Sequence, residues 1–374
     1  KSLSDSVLPA IYQDSLAIVK SKFSSAIVIS LTADGWTNLN NTSFYTVTAH
    51  FINNDFHLAS LMLECEEFTV QHTGRNIAEW FKFVLERFEI SDKIVAITTD
   101  NASNMRLAAS ILKLPHFSGF AHSLKLVVLN AVAKSIKPVV EEVKQTVMHF
   151  KKSVLATSKL AEIQKNLNTE NIKLKQNTPT QWNSTYDMLN RFYRNNIALR
   201  MCIDSLKILQ THHWGTIEQS IIILNPFYEA TNTILAEKTV TFSKVGLLIK
   251  ILKDKMVNFN TQELNNDSKN LVDSLIDGLN DRFRATSNNE ITKEAMLLDP
   301  RIKNLKESVI AKISRLYGQD SQFTARETES EAGAPVKNSI FSEFIADINQ
   351  TRELNPRAAA TTEYDLYISS NITV

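Results

Sequence analysis

Ala26-Ile27-Val28-Ile29-Ser30-Leu31-Thr32-Ala33-Asp34 and Lys93-Ile94-Val95-Ala96-Ile97-Thr98-Thr99-Asp100 are the two runs that decide the fold. Each is a near-continuous β-branched and apolar stretch of strand length, as a strand buried on both faces requires, and each ends in aspartate. Between them, Phe44 to Ile52 alternates Tyr45, Val47, Ala49 and Phe51 on one face with Thr46, Thr48 and His50 on the other. Asn53-Asn54-Asp55 then turns the chain into Phe56 to Cys65, which predicts an antiparallel hairpin. Thr73 suits the N-cap of a helix with Ile77, Trp80, Phe81, Val84, Leu85 and Phe88 on one face. Asn101 or Ser103 suits the cap of a second helix running to about Lys113, and Phe117 to Val128 carries a short strand into a third.

The order β, β, β, α, β, α, β, with an antiparallel hairpin on a parallel core, is that of an RNase H-like domain, expected over residues 26–130. A helical segment at 1–25 precedes it, with Leu8, Ile11, Leu16 and Val19 about one or two turns apart. After about Asn130 the β signal disappears. Pro138 sits at a first-turn position before Val139, Val140, Val143, Val147, Val154 and Leu155, and further helices are predicted near 184–210, 216–236, 243–257 and 269–284. The fold class is therefore α/β: an RNase H-like core on a mixed five-stranded sheet, with an all-helical insertion domain over 131–312. Residues 313–374 are expected to be a flexible linker and a truncated tail, the stretch Gly318 to Pro335 having few large apolar residues.

Composition narrows the chemistry. The 374 residues are 43% hydrophobic and 22% charged, so a sizeable core is expected. Only 8 are glycine, and neither GxxxxGK[ST] nor GxGxxG occurs. Cys65 and Cys202 are the only cysteines, which permits no disulfide framework and no Cys-type zinc site within this chain. No uninterrupted run of 18 apolar residues predicts a membrane span. The formal charge of +1 means that any nucleic-acid surface must be local. GxSxG, HExxH and CxxC are absent, so hydrolase and redox readings and a small-molecule substrate lack support.

Asp34 and Asp100 are the candidate metal ligands. On adjacent parallel strands their carboxylates would converge, and converging carboxylates share a proton or a cation. Hard oxygen ligands with retained waters suit Mg²⁺ or Mn²⁺, ions that promote phosphodiester displacement. The alternative is ordinary turn chemistry, with Asp34 capping a Gly turn and Asp100 capping a helix.

Asp34-Gly35-Trp36-Thr37, His72-Thr73-Gly74, Thr99-Asp100-Asn101-Ala102-Ser103-Asn104-Met105, Ala121-His122-Ser123-Leu124, Trp182-Asn183-Ser184-Thr185-Tyr186 and Leu298-Asp299-Pro300-Arg301 occur in the order found in hAT-superfamily transposases. The chain also resembles the BED-type zinc-finger proteins descended from them. The resemblance implies that Asp34 and Asp100 match the first two members of a DDE metal triad, with Trp36 and His122 in structural motifs. The third member belongs to a Ser-Glu-Arg block at the start of a C-terminal dimerisation region, and no such block precedes Val374; Glu363 is read as a solvated tail carboxylate. A BED finger is likewise expected upstream of Lys1. Two departures stand out: Gly119 replaces the Cys of a Cys-x-x-His motif, leaving His122 alone, and Gln181 replaces the Arg of an Arg-Trp pair.

For DNA, Trp182 is a candidate to stack on an unpaired base, with a core tryptophan as the alternative, and Gln181 stands beside it. From Lys134 to Lys175 there are nine Lys against four Glu, so Lys144, Lys151 and Lys152 are candidate phosphate contacts, or else a solvated helix face. His212-His213-Trp214 is assigned no function, because adjacent helical residues point about 100° apart. The expectation is a nuclear, DNA-binding derivative of an hAT transposase without strand-transfer activity, with a homo-oligomer as an option for the longer ancestral form and the oligomeric state of this chain left open. A fragment of an active transposase and a protein-interaction scaffold remain the alternatives.

Overall fold

The computed structural model describes residues 7–178, 181–203, 213–236 and 242–299. The chain divides into two compact units, the first ending at Ser123 and the second beginning at Leu124. No described helix is long and apolar enough to cross a membrane.

The first unit carries α1 (Leu8–Ser24), β1 (Ile29–Thr37), β2 (Ser43–Ile52), β3 (Leu58–Glu67), α2 (Gly74–Arg87), β4 (Ile94–Thr99), α3 (Ser103–Ile111), β5 (His116–Ser118) and the start of α4 (Phe120–Ser135). Its five strands form one mixed sheet in the order β3-β2-β1-β4-β5, antiparallel on the hairpin side and parallel from β1 to β5. Period-2 alternation buries Tyr45, Val47, Ala49 and Phe51 on one face, where they join Ile29, Leu31, Ile97, Ile77, Phe81 and Ala108 in the core. Phe23 of α1 packs edge-on against Phe51 at 5.2 Å, fixing the last turn of that helix. The hairpin turn is held by the Asn53 side chain, whose Oδ1 accepts from the N–H groups of Asp55 and His57.

The second unit is helical: the rest of α4, then α5 (Lys137–Lys152), α6 (Val154–Asn166), α7 (Trp182–Arg194), α8 (Asn196–Ile203), α9 (His213–Ala236), α10 (Phe242–Asn260), α11 (Asn266–Asn288) and α12 (Glu290–Leu298). Pro138 does lie in the first turn of α5. The helix expected from 184 is broken at Asn195, a buried residue whose side-chain amide donates to the carbonyls of Arg191 and Ile172. Val154 and Leu155 do not continue the apolar face of α5. Ser153 leaves the helical region (φ −106°, ψ 109°), caps α6 through Ala156 N–H, and turns both residues out to 82% and 84% exposure. Gly318–Pro335, Glu363 and the tail lie outside the described residues.

Candidate functional site

β1 is bordered by β2 on one side and by β4 on the other, and the two ladders end at different places. The parallel ladder ends at the pair Thr32–Thr98, whereas the antiparallel ladder continues through Asp34–Thr46 to Thr37–Ser43. Asp34 therefore lies inside β1, three residues before its end, and not at the end as its sequence suggested; pairing with β2 prolongs the strand past its parallel partner. Asp100 does directly follow β4. Both aspartates stand two residues beyond Thr32–Thr98, the last pair of the parallel ladder, Asp34 within β1 and Asp100 just after β4.

Each carboxylate has a local backbone partner. Asp34 Oδ1 accepts from Gly35 N–H at 2.9 Å, and Asp100 Oδ1 accepts from Ala102 N–H at 3.3 Å. Neither Asn101 nor Ser103 caps α3: its N-cap position is Ala102, which has no side-chain bond, and Asp100 instead closes the turn before the helix. In each aspartate the second oxygen accepts no hydrogen bond from a described residue. Two hard carboxylates with spare lone pairs suit a Mg²⁺ or Mn²⁺ that keeps most of its waters. No set of three His, Cys, Asp or Glu able to hold a metal exists among the described residues.

The surroundings are aromatic and cationic. Gly35 faces Tyr45 across the ladder, and a Cβ there would lie 2.8 Å from the Tyr45 ring, so only glycine lets the phenol lie over β1. Burial, then the negative charge of Asp100, raises the Tyr45 pKa, against a hydrogen bond to Asn104 that lowers it. His116 on β5 is held below its ordinary value by burial and by Arg106, with Asp100 opposing. Trp36 pairs with Phe44 directly across the ladder, the rings stacked at 5.7 Å and the indole 44% exposed. By strand alternation Trp36 and the half-buried Phe44 share the face of Asp34. Sequence reading placed Trp36 in a motif but had no register with which to find Phe44 opposite it.

The other candidates divide. Trp182 is 4% exposed and packs edge-on against Tyr228 at 6.4 Å, so its ring cannot stack on a base; it is a core residue of the helical unit. Gln181 is exposed just before α7. Lys144 is paired with Glu141 at 3.3 Å, while Lys151 and Lys152 are exposed on the last turn of α5. His122 is half-buried in the first turn of α4 and makes no hydrogen bond to a described residue. His213 bonds to Glu142, and Trp214 stacks on Phe192 at 5.2 Å, which gives both structural work.

Residues 32–125 match the family described as the ZBED1 RNase-like domain, and residues 117–218 match the ZBED1 RNase-like helical domain, together half of the chain. The chain is similar to the human "Zinc finger BED domain-containing protein 4", 24% identical over 95% of this chain and 32% of that protein. It is also similar to the human "Zinc finger BED domain-containing protein 6", 28% identical over 75% of this chain and 31% of that protein. The "Putative AC transposase" of Zea mays is 28% identical over 46% of this chain and 22% of that protein. The chain spans about a third of the length of the human relatives it matches.

Proposed function

From the premise that this chain belongs to the transposase-derived BED-type proteins, we propose that it is a nuclear DNA-binding protein in which Asp34 and Asp100 hold one divalent cation against a backbone phosphate without carrying out strand transfer. The observation that carries this reading is that both aspartates stand two residues past Thr32–Thr98, where the parallel ladder of β1 and β4 ends. When bound, the cation would supply charge neutralisation to a phosphate oxygen.

This chain's own residues supply the rest of the site. Arg106, close enough to depress His116 beside Asp100, offers a second positive charge to the same phosphate. The exposed Trp36 ring, backed by the half-buried Phe44, offers a stacking surface for an unpaired base beside Asp34. Two carboxylates without a third ligand among the described residues favour retention of the ion's waters over tight placement of two ions, and hence binding over turnover.

The test is binding of a labelled DNA duplex with a single-stranded overhang, measured over a salt series with and without Mn²⁺. The expected result is affinity that falls steeply with salt and rises with Mn²⁺ in the wild type, the Mn²⁺ gain being lost in Asp34→Asn and in Asp100→Asn. Salt-insensitive or absent binding would favour a protein-interaction scaffold, and an unchanged Mn²⁺ response in both variants would remove the metal from the reading.

A further inference from the structure

A separate feature of the helical unit lies on the surface between α10 and α11. A cleft of about 290 Å³ is lined by Lys253 of α10 and by Asn280, Asp281, Arg284, Ser287 and Asn288 of α11. The α11 residues recur at i, i+1, i+4, i+7 and i+8, so they form one helical face, and every lining side chain is polar. None of the three charged side chains forms an ion pair or hydrogen bond with a described residue. Lys144, by contrast, is already paired with Glu141. Lys253 and Arg284 leave the cleft with a net positive charge against the single carboxylate of Asp281, and the Asn280, Ser287 and Asn288 side chains have unclaimed donors.

We infer that this cleft binds a backbone phosphate of a nucleic-acid strand, Arg284 and Lys253 contacting the phosphate oxygens and the Asn and Ser groups completing its hydrogen bonds. An arginine fork and an ammonium lining one cleft, with no apolar residue among its lining side chains, suit a phosphate in charge and hydrogen-bond donors better than an apolar side chain of a peptide. Asp281 opposes the anion and sets the sign of a diagnostic change. The inference rests on the DNA-binding reading above and adds a phosphate contact on α10 and α11 to the exposed Lys151 and Lys152 of α5.

The experiment measures anisotropy of a labelled duplex over a salt series with the full chain, its Lys253→Gln/Arg284→Gln double variant and Asp281→Asn. All three positions are exposed or half-exposed, so circular dichroism and melting should stay as in the wild type. The double variant is expected to flatten the slope of log affinity against log salt by about 1 to 2, with a loss of about tenfold or more at low salt. Asp281→Asn is expected to bind more tightly, a gain that a purely structural role would not produce. A double variant equal to the wild type in affinity and slope would overturn the inference while leaving DNA binding intact; a wild type that binds no DNA would overturn both. Inorganic phosphate, titrated against backbone amide signals of residues 280–288, separates the remaining source: phosphate binding with unchanged DNA affinity in the double variant would mark a free-anion site and overturn the proposal.

Discussion

The side-chain amide of Asn104 donates to the backbone carbonyl of His72 at 3.1 Å, tying the start of α3 to the residue that precedes the cap of α2. Thr73 accepts from Asn76 N–H at 3.2 Å to begin α2, and Gly74 follows where a Cβ would lie 2.6 Å from Leu107 Cβ and 2.8 Å from Asn104 O. The two sequence motifs are therefore one clamp. Its consequence is positional: the segment from Asp100 to Ser103 enters α3 at a point fixed by α2, so the second aspartate is held from both ends.

Breaking that clamp should cost stability. Gly74→Ala is expected to destabilise by about 1–3 kcal/mol in urea unfolding, because the methyl group meets backbone as well as side chain. Leu107 is 52% exposed, so Leu107→Ala alone should cost little. The double variant should recover only the share of the Gly74→Ala loss that comes from Leu107 Cγ at 2.7 Å, because alanine keeps the Cβ, and full recovery would show that neither that Cβ nor Asn104 O obstructs the methyl group.

The two tryptophans should separate by assay. Trp36→Ala is expected to weaken binding of a duplex with an unpaired end by about 1–3 kcal/mol, with little change in melting, since its indole is 44% exposed. Trp182→Ala is expected to destabilise by about 3–5 kcal/mol, because the ring is 4% exposed against Tyr228. Trp182→Phe should cost less, as it also removes an indole N–H that is buried without a partner. Unchanged DNA affinity in Trp36→Ala would sink the stacking role.

What the sequence could disclose follows from the range of the interactions involved. The strand runs, the Thr73 cap and the alternation of Tyr45, Val47, Ala49 and Phe51 are local, and the structure agrees with them, except that β1 and β4 are buried on one face and not both: Thr32, Asp34 and Val95 are exposed, as are Ile27 and Val28 just before β1. The true extent of β1 was not legible, because Ile29–Thr37 is set by two ladders with different ends. The outward turn of Val154 and Leu155 depends on one backbone kink at Ser153. At the site, the place of Asp100 just after β4 was readable locally, whereas Asp34 inside β1, Phe44 opposite Trp36, Tyr45 over Gly35 and Asn104 on His72 depend on partnerships between distant residues that only the fold reveals.

Acid should weaken the first unit through His50. Its ring bonds Thr32 Oγ1 and Ser60 Oγ, both at 2.8 Å, and burial holds its pKa below the ordinary 6.5. The unfolded chain then binds the proton more readily than the fold. The contribution is therefore complete above the unfolded pKa and is lost as pH falls through the folded value. Urea midpoints at about pH 7.5 and about pH 5 should differ less in His50→Gln than in the wild type, with His116, lowered in the same direction, accounting for part of what remains. An equal acid loss in both proteins would show that His50 does not carry the effect.

Gly119, which stands where the resemblance to hAT transposases implies a cysteine, should tolerate a side chain. Its φ lies outside the left-handed region, and a Cβ would meet only Thr99 O at 3.6 Å and His122 Cβ at 3.9 Å, ordinary contact distances. Its N–H donates to Thr99 O at 2.9 Å, a bond that any residue except proline retains. Replacement by alanine restricts the unfolded chain without straining the folded one, so Gly119→Ala should stabilise by about 0.4–1 kcal/mol in urea unfolding. Gly119→Cys should fold as well, with its Cβ beside that of His122. A loss above about 1 kcal/mol in the alanine variant would mean that the glycine is required by packing at the β5–α4 junction, and that His122 stands alone for a steric reason.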